Sequence, residues 1–366
     1  MSSSDKTLWP IGVHTPGKHI VLREYLNAWL PILGGTQKRI LIVDGFAGPG
    51  RYKGGEDGSP VIALKALRDH SFRPRIRAEI RFVFIEADAK RAEHLSMEIA
   101  PLLRELGPKV SADVIVGAFN ETMAAVLALL EEQKRQLAPA FVMVDPFGVS
   151  DTPLSVIKQI LENDRSEVYV SFMWEFVDRF HGGTEFPPHL DALFGCDEWR
   201  QMAKYADERD RKRFVFDLYK RQLKRSGATN VVHFELYNGN NLVYAIFFAT
   251  KSPVGCDKMK QAIWKIDRAS GVAFRSATAD MFDLMAGDLS RLKRELQQFF
   301  DGREVSVDEL TAWIMTDATD YHSHQLKTAL RELERNGGLE VAAVTTRKRG
   351  TFADGKMTVR LRAESR

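Results

Sequence analysis

The segment that most constrains the fold of this chain is ILIVDGFAGPGRY, residues 40–52. Its apolar run ends at Asp44, and Phe46, Gly48 and Gly50 then follow at every second position. This pattern predicts a buried strand that runs directly into a tight glycine loop. Open α/β sheets bind ligands at the carboxyl ends of their strands, and glycines let backbone N–H groups approach a ligand closely. The segment therefore predicts a site for a nucleotide-like ligand.

The residues that follow exclude two common nucleotide-binding motifs. The dinucleotide fingerprint requires a third glycine where this chain has Lys53. No Gly-Lys-Ser/Thr sequence follows, so the loop is not a P-loop. The remaining pattern, Asp-x-Phe-x-Gly-x-Gly, resembles the first motif of S-adenosylmethionine (SAM) dependent methyltransferases. The alternative is a glycine turn in another kind of α/β protein.

Two further predicted strands also end in carboxylates. IRFVFIEAD contains Glu86 at its end, and an acidic residue there can accept hydrogen bonds from both hydroxyls of a ribose. PAFVMVDPFG is apolar up to Asp145 and is stopped by Pro146, and Phe147 adds a flat apolar surface. Because the carboxyl ends of parallel strands meet at one edge of a sheet, we expect Asp44, Glu86 and Asp145 to face one cleft.

The order of the predicted elements indicates the fold class. Five strand-helix repeats precede two strands at 230–237 and 242–250, which are joined by the turn NGNN. This is the plan of the class I, Rossmann-like SAM-methyltransferase fold with a seven-stranded sheet. Apolar residues at helical spacing predict a helix at 17–33, ahead of the first strand. Lys18, near its start, is predicted to contact a ligand carboxylate, the alternative being a solvated lysine.

The sequence predicts two domains of unequal size. The first is a methyltransferase-like domain at 1–300, with the N-terminal helix at 17–33, a sheet core at 39–250 and C-terminal helices at 256–300. The second is a small domain at 301–366, in which a capping-box helix, a second helix and two strands indicate a winged helix.

The turn between the last two strands is basic. Residues 341–366 carry seven Lys and Arg residues against two Asp and Glu residues. Arg347, Lys348 and Arg349 at the tip of this wing suit a phosphate backbone, so we predict that they bind nucleic acid. The alternative is a winged helix that mediates protein contacts.

Charge and cysteine content add few constraints. A net charge of +3 with a pI near 8.7 permits a nucleic-acid partner without requiring one. Cys196 and Cys256 are not in a metal-ligand spacing, so no metal site is predicted. The chain has neither an apolar run long enough to cross a membrane nor the pattern of a signal peptide, so we expect a cytoplasmic protein with no membrane partner.

Five motifs occur in order between residues 18 and 259: KHIVLREYLNAW, DGFAGPGRY, GSPVIAL, VDPFG and FFATKSPVGCDKM. With them the chain resembles the three-Cys-motif partner proteins, bacterial SAM-dependent methyltransferase-like proteins with a C-terminal winged helix. The resemblance implies SAM as the cofactor and a three-Cys-motif partner protein of radical-SAM type. The predicted site residues are Lys18, Asp44, Gly45, Phe46, Gly48, Gly50, Glu86 and Asn120 for the cofactor, and Asp145, Pro146 and Phe147 for catalysis.

The chain departs from related patterns at two places. After the third strand, where an acidic residue commonly binds the adenine amino group, it has Ala118, so Asn120 or the main chain must serve. DNA amino-methyltransferases have Asp/Asn-Pro-Pro-aromatic, whereas here the second proline is missing and Phe147 comes one position early. Cytosine C5 methylation needs a cysteine nucleophile after the fourth strand, and the chain has none there.

Three functions follow as hypotheses. The first is a SAM-dependent methyltransferase acting on an amino group of a nucleic-acid base, in which Asp145 holds the amine and Phe147 stacks on the base. The second is a methyltransferase-like subunit, weak in catalysis, that docks the three-Cys partner. The third is a winged-helix regulator with a ligand-sensing domain, which the small size of the winged helix disfavours.

Overall fold

The computed structural model describes residues 7–12, 15–146, 148, 152–275, 288–342, 348–353 and 357–362. Phe147 and Arg347 therefore lie outside the described residues. The chain forms two compact units. The first comprises Met1–Ser252 with Ala273–Ala277, and the second comprises Pro253–Val272 with Thr278–Arg366.

The first unit is an α/β domain built on one mixed sheet. Its strands are β1 (Arg39–Asp44), β2 (Glu79–Glu86), β3 (Val110–Val116), β4 (Ala140–Val144), β5 (Glu167–Phe172), β6 (Asn230–Asn238), β7 (Asn241–Thr250) and β8 (Ala273–Arg275). Its helices are α1 (Thr15–Gly34), α2 (Ser59–Arg68), α3 (Ala89–Leu106), α4 (Phe119–Glu132), α5 (Leu154–Glu162), α6 (Trp174–Phe180), α7 (Pro187–Phe194) and α8 (Glu208–Arg225). Two short 3-10 helices cover Arg73–Arg75 and Glu198–Lys204.

The strand order is β3, β2, β1, β4, β5, β7, β6, β8. Strands β1 to β5 pair in parallel, and β7 is antiparallel to both β5 and β6. Every residue of β4 and β5 is buried, as expected for central strands covered by helices on both faces. This arrangement confirms the predicted Rossmann-like methyltransferase fold class.

The sheet has eight strands rather than the predicted seven. The additional strand, β8, pairs in parallel with β6 and extends the sheet beyond the β6–β7 hairpin. It is three residues long, too short for a periodic pattern to reveal it in the sequence.

The second unit contains a three-stranded antiparallel sheet with strand order β10, β11, β9. In chain order its elements are α9 (Pro253–Trp264), α10 (Ser290–Phe300), β9 (Glu304–Ser306), α11 (Val307–Ile314), α12 (Ser323–Arg335), β10 (Leu339–Val341) and β11 (Thr358–Leu361). Ser306 and Glu309 form the predicted capping box at the start of α11, with N–H to side-chain distances of 2.9 and 3.1 Å.

Helices α9 and α10 belong to this second unit, whereas the sequence predicts that they are part of the first domain, which ends at residue 300. The apolar face of α10, with Leu292, Leu296 and Phe300, packs into one core with the residues of α11, α12 and β11. From α9, the buried Lys260 ammonium donates hydrogen bonds to the carbonyls of Ile314, the last residue of α11, and of Thr316 and Thr319, which follow it. The difference arises because an apolar helix face shows that a helix is packed, but not against which domain.

Within the described ranges, no helix combines the length and the apolar character needed to cross a membrane.

Candidate functional site at the carboxyl edge of the sheet

The glycine loop after β1 is shaped by close backbone contacts. The Phe46 N–H donates to Asp44 Oδ1 at 3.1 Å, which turns the chain as it leaves the strand. Gly48 and Gly50 have φ values of +61° and +79°, a region that side chains disfavour. A Cβ on Gly45 would lie 2.3 Å from the Phe119 ring, so this glycine serves packing against α4.

Glu86, at the end of β2, holds the glycine loop. Its side chain is only 5% exposed, and its Oε2 accepts the Gly48 N–H at 2.9 Å. Its Oε1 accepts the Asp88 N–H at 2.9 Å and lies 3.3 Å from the Arg91 guanidinium. Glu86, the residue predicted to bind the ribose, is therefore already hydrogen-bonded to the glycine loop, which is predicted to lie beside the ligand.

Asp44 is buried behind the loop. In the sheet it stands opposite Phe84 of β2 and Met143 of β4, so the carboxyl ends of the three strands adjoin as predicted. Burial raises the pKa of Asp44 to about 6, although hydrogen bonds from the Ser59 side chain and the Phe46 backbone act to lower it. A cation close to this carboxyl group would favour its ionised form.

A cavity of about 280 Å³ lies in front of the glycine loop. Its wall is formed by the segment 9–12, the start of α1, the loop at 46–52 and the ends of β4 and β5. The aromatic side chains that contribute to it are Trp9, Phe46, Tyr52 and Tyr244. An apolar wall with few charged groups is typical of a small-molecule site.

The charged groups of this wall are Lys18, Asp145 and Arg51, and the first two form an ion pair. The Lys18 ammonium donates to Asp145 Oδ2 and lies 5.4 Å from the centre of the Tyr244 ring. Burial disfavours the charge on Lys18, but the nearby Asp145, together with Tyr244 and Tyr52, outweighs this effect and raises the pKa of Lys18. Burial likewise disfavours the ionised Asp145, but Lys18 holds its pKa below the ordinary value. Both groups are therefore charged at neutral pH.

His19 follows Lys18 in the same wall. Burial, reinforced by the neighbouring Lys18 ammonium, lowers the pKa of His19 to about 4. Its ring lies 5.9 Å from the Tyr52 ring. The imidazole is consequently neutral at neutral pH and offers one hydrogen-bond donor and one acceptor.

The structure brings together part of the predicted site. Six predicted residues line the cavity: Lys18, Phe46, Gly48, Gly50, Asp145 and Pro146. Asp44, Gly45, Glu86 and Asn120 lie outside its wall, so of the three strand-end carboxylates expected to face one cleft only Asp145 lines this cavity. Asn120 is in the first turn of α4, and its Oδ1 is buried without a hydrogen-bond partner among the described residues. The ammonium of Lys18 contacts Asp145, so its predicted contact with a ligand carboxylate stays a prediction.

Trp9, Tyr52 and Tyr244 were not singled out by sequence reasoning. Tyr244 could have been found, because β7 is antiparallel and its first residues lie at the edge where β4 and β5 end. Tyr52 directly follows the glycine loop, which is a weak signal of the same kind. Trp9 gives no local signal, since no predicted element contains it.

Two of the three predicted nucleic-acid-binding residues are described, and both are exposed. Arg349 Nη2 donates to the Glu334 carbonyl at 3.2 Å, near the end of α12, and the Gly350 N–H donates to the Glu334 carboxylate at 2.8 Å. These bonds fix the turn that carries Lys348 against the helix. Arg347 is the member outside the described residues.

The fold thus defines a Rossmann-like α/β domain of the SAM-methyltransferase class. No protein-family model matches the chain, and no curated protein matches it. Among solved structures, the chain is similar to Trm1 from Pyrococcus horikoshii in complex with S-adenosyl-L-methionine, with 11% identity over 74% of this chain and a TM-score of 0.37. The match spans 64% of the Trm1 chain, less than two thirds of its length.

Two other solved structures give similar values. The O-methyltransferase from Bacillus cereus in complex with SAH has 12% identity over 68% of this chain and 94% of its own, with a TM-score of 0.34. Protein LPL1258 from Legionella pneumophila has 12% identity over 67% of this chain and 89% of its own, with a TM-score of 0.40. At these identities the likenesses concern the fold and not the reaction.

Proposed function

We propose that the protein is a SAM-dependent methyltransferase that acts on an amino group of a nucleic-acid base. The observation that carries the proposal is the position of Asp145. This carboxylate lies in the wall of an aromatic-lined cavity that the glycine loop also lines. The arrangement supports a reaction in which a target amine is held against a ligand bound at the loop.

The donor and acceptor groups around the loop fit SAM. The backbone of the loop and the Glu86 carboxylate would hold it, and its sulfonium would supply the methyl group. The cavity of about 280 Å³ is close to the lower end of the range for small-molecule sites, about 300 to 1,000 Å³. Asp44, with a pKa of about 6, adds a carboxyl group whose negative charge a cationic ligand would favour.

Asp145 would orient the amine rather than remove its proton. Lys18 holds the pKa of Asp145 low, so this carboxylate is a weak base. Oδ2 is paired with Lys18, and acceptor capacity on Oδ1 remains for an N–H of the target. Catalysis would then rest on positioning, which needs a rigid acceptor, and the ion pair to Lys18 supplies that rigidity. Stacking of the base on Phe147 stays a prediction from the sequence.

Binding of nucleic acid is proposed for the second unit. From α10 onward its order of helix, strand, two helices and two strands supports a winged helix, and the exposed Lys348 and Arg349 lie on the turn that would form the wing. Positive side chains on an exposed turn suit a phosphate backbone. We also propose that the protein works with a three-Cys-motif partner protein, on the sequence resemblance alone.

A second candidate function is that of a docking subunit with little catalytic activity. One observation favours it: two carboxylates of the candidate site, Glu86 and Asp145, already have partners within the chain. Glu86 is bonded to two backbone N–H groups and faces Arg91, and Asp145 is paired with Lys18. A site of this kind can be stable without a ligand.

The test combines a binding and a transfer measurement. Calorimetry with S-adenosylhomocysteine (SAH) measures cofactor binding, and transfer of labelled methyl groups from SAM to mixed DNA and RNA measures activity. We expect Asp145→Ala to lower the transfer rate roughly tenfold to a hundredfold, the equivalent of a charge-assisted hydrogen bond of about 1.5–3 kcal/mol. SAH affinity should stay within a few-fold, and Asp145→Asn should retain more activity than Asp145→Ala.

The matched control is Asp113→Asn, which removes a carboxylate that is 42% exposed on β3 and paired with Arg81. It should change neither measurement. Wild-type protein that binds SAH but transfers no methyl group would favour the docking subunit. Wild-type protein that binds no SAH would contradict both the cofactor and the reaction.

A further inference from the structure

The Glu86 carboxylate has too little acceptor capacity left for a ribose. A carboxylate offers about four acceptor positions. Two of them hold the N–H groups of Gly48 and Asp88, and the Arg91 guanidinium covers a third side at 3.3 Å. Two vicinal hydroxyls need two positions. Of the three occupants, only Arg91 is a side chain that can leave without unfolding the loop.

The guanidinium of Arg91 lies between Glu86 and Trp9. Its central carbon is 5.5 Å from the centre of a Trp9 ring, within the range of a cation–π contact. Trp9 lines the cavity, whereas Glu86 does not. The path from the cavity to the carboxylate is therefore covered by this Arg–Trp pair.

Trp9 is held in turn by the loop that it covers. Its carbonyl accepts the Lys53 N–H at 2.9 Å, and its ring is 3.5 Å from the point where a Cβ on Gly48 would lie. The ring also meets Tyr52 edge-on, with centroids 6.2 Å apart. The segment 7–12 is thus fastened across the glycine loop.

We propose that Arg91 and Trp9 form a latch over Glu86, and that the hydroxyl groups of a bound ribose displace Arg91 from the carboxylate. This inference rests on the proposed function, since it assigns to the same site a nucleoside ligand. The bound ligand takes the acceptor positions that Arg91 leaves, and Trp9 loses its cationic neighbour.

Opening the latch is inexpensive. The Arg91 side chain is 28% exposed, so its guanidinium can move into water. Its Nε–H is buried in the closed arrangement and has no hydrogen-bond partner in the described part of the chain, so closure leaves one donor unsatisfied. Glu86 is buried, but the ribose hydroxyls replace Arg91 as hydrogen-bond donors, so the carboxylate is not left without a partner when the latch opens.

The first test compares Arg91→Ala with Lys90→Ala. Both variants remove one positive charge from the same turn of α3, but Lys90 is exposed and has no place in the latch. Because Arg91→Ala removes the competitor of the ribose, it should bind SAH about two- to fivefold more tightly than wild type, as expected for the loss of an ion pair whose cation is partly exposed. Lys90→Ala should bind as wild type does. Arg91→Gln provides a second variant if the alanine protein is unstable.

The second test follows Trp9 itself. Tryptophan fluorescence should change when SAH is added to wild type, and the change should disappear in Trp9→Phe but persist in Trp313→Phe, which alters the second unit. A 2′,3′-dideoxy analogue of SAH has no hydroxyls to displace Arg91. Because Trp9 lines the cavity, the analogue should still give a signal when it binds, but at concentrations that saturate binding this signal should be smaller than the one with SAH.

Two outcomes overturn the latch alone. One is SAH binding that becomes tenfold weaker in Arg91→Ala, which would make Arg91 a ligand contact. The other is an equal Trp9 signal with SAH and with the dideoxy analogue. Wild-type protein that shows no SAH binding by calorimetry would overturn the proposed function, and the latch with it.

Discussion

Replacing Glu86 by Gln tests whether this side chain holds the glycine loop. The carboxylate accepts two backbone N–H groups, from Gly48 and Asp88, each at 2.9 Å. A hydrogen bond to a charged group contributes about 1.5–3 kcal/mol. Gln keeps one acceptor oxygen but turns an NH₂ group toward the other backbone donor. We therefore expect a loss of about 2 kcal/mol for Glu86→Gln, and about twice that for Glu86→Ala, which removes both acceptors.

The assay is thermal unfolding measured by calorimetry, in which the transition of the first unit is resolved. A domain of this size shifts its Tm by about 2–4 °C per kcal/mol, so Glu86→Gln should lower it by roughly 4–8 °C. Glu79→Gln is the matched control: the same substitution in the same strand, at a side chain 62% exposed and paired with Arg39. It should shift the Tm by less than about 2 °C, since exposed ion pairs contribute little.

Equal Tm values for the two Gln variants would refute this account of the loop. SAH affinity distinguishes the two roles of Glu86. If it falls roughly tenfold in Glu86→Gln, the carboxylate also contacts the ligand, as the sequence predicts. If the Tm falls and the affinity does not, Glu86 only supports the loop.

Three further predictions concern other parts of the chain. The pKa of His19 is about 4 when folded and about 6.5 when unfolded, so the unfolded chain binds more protons at this residue between these values, and the contribution of His19 to the free energy of unfolding should fall as the pH is lowered from 6.5 to 4. Asp44, whose pKa is raised, contributes with the opposite sign in both proteins, so the test is the difference between wild type and His19→Gln: in urea titrations the free energy of unfolding of wild type minus that of the variant should fall by at most about 3 kcal/mol over this range. Lys260→Met leaves three carbonyls without their donor and should destabilise the second unit by about 2–4 kcal/mol, whereas Lys258→Met on the same helix should change little in denaturant titrations. Replacing Lys348 and Arg349 by Ala should lower the log-log salt slope of duplex DNA binding by about 1.8 units, and an unchanged slope would exclude their phosphate contacts.

The sequence by itself determined the fold class and one edge of the site. Apolar runs that end in Asp44, Glu86 and Asp145 are local features, because each strand must bury its own residues. The positive φ values of Gly48 and Gly50 are local as well, since they follow from the tight turn after β1. These features were sufficient to place three strand ends beside one another.

Only the tertiary structure decided which groups meet across long separations in the chain. Lys18 and Asp145 are 127 positions apart, and nothing local to either residue indicates the ion pair that now sets both charges. Local sequence likewise does not indicate the place of Trp9 over the glycine loop, the eighth strand, or the assignment of α9 and α10 to the second unit. The periodicity of a segment shows which of its side chains are buried. Only the tertiary structure shows which other elements those side chains pack against.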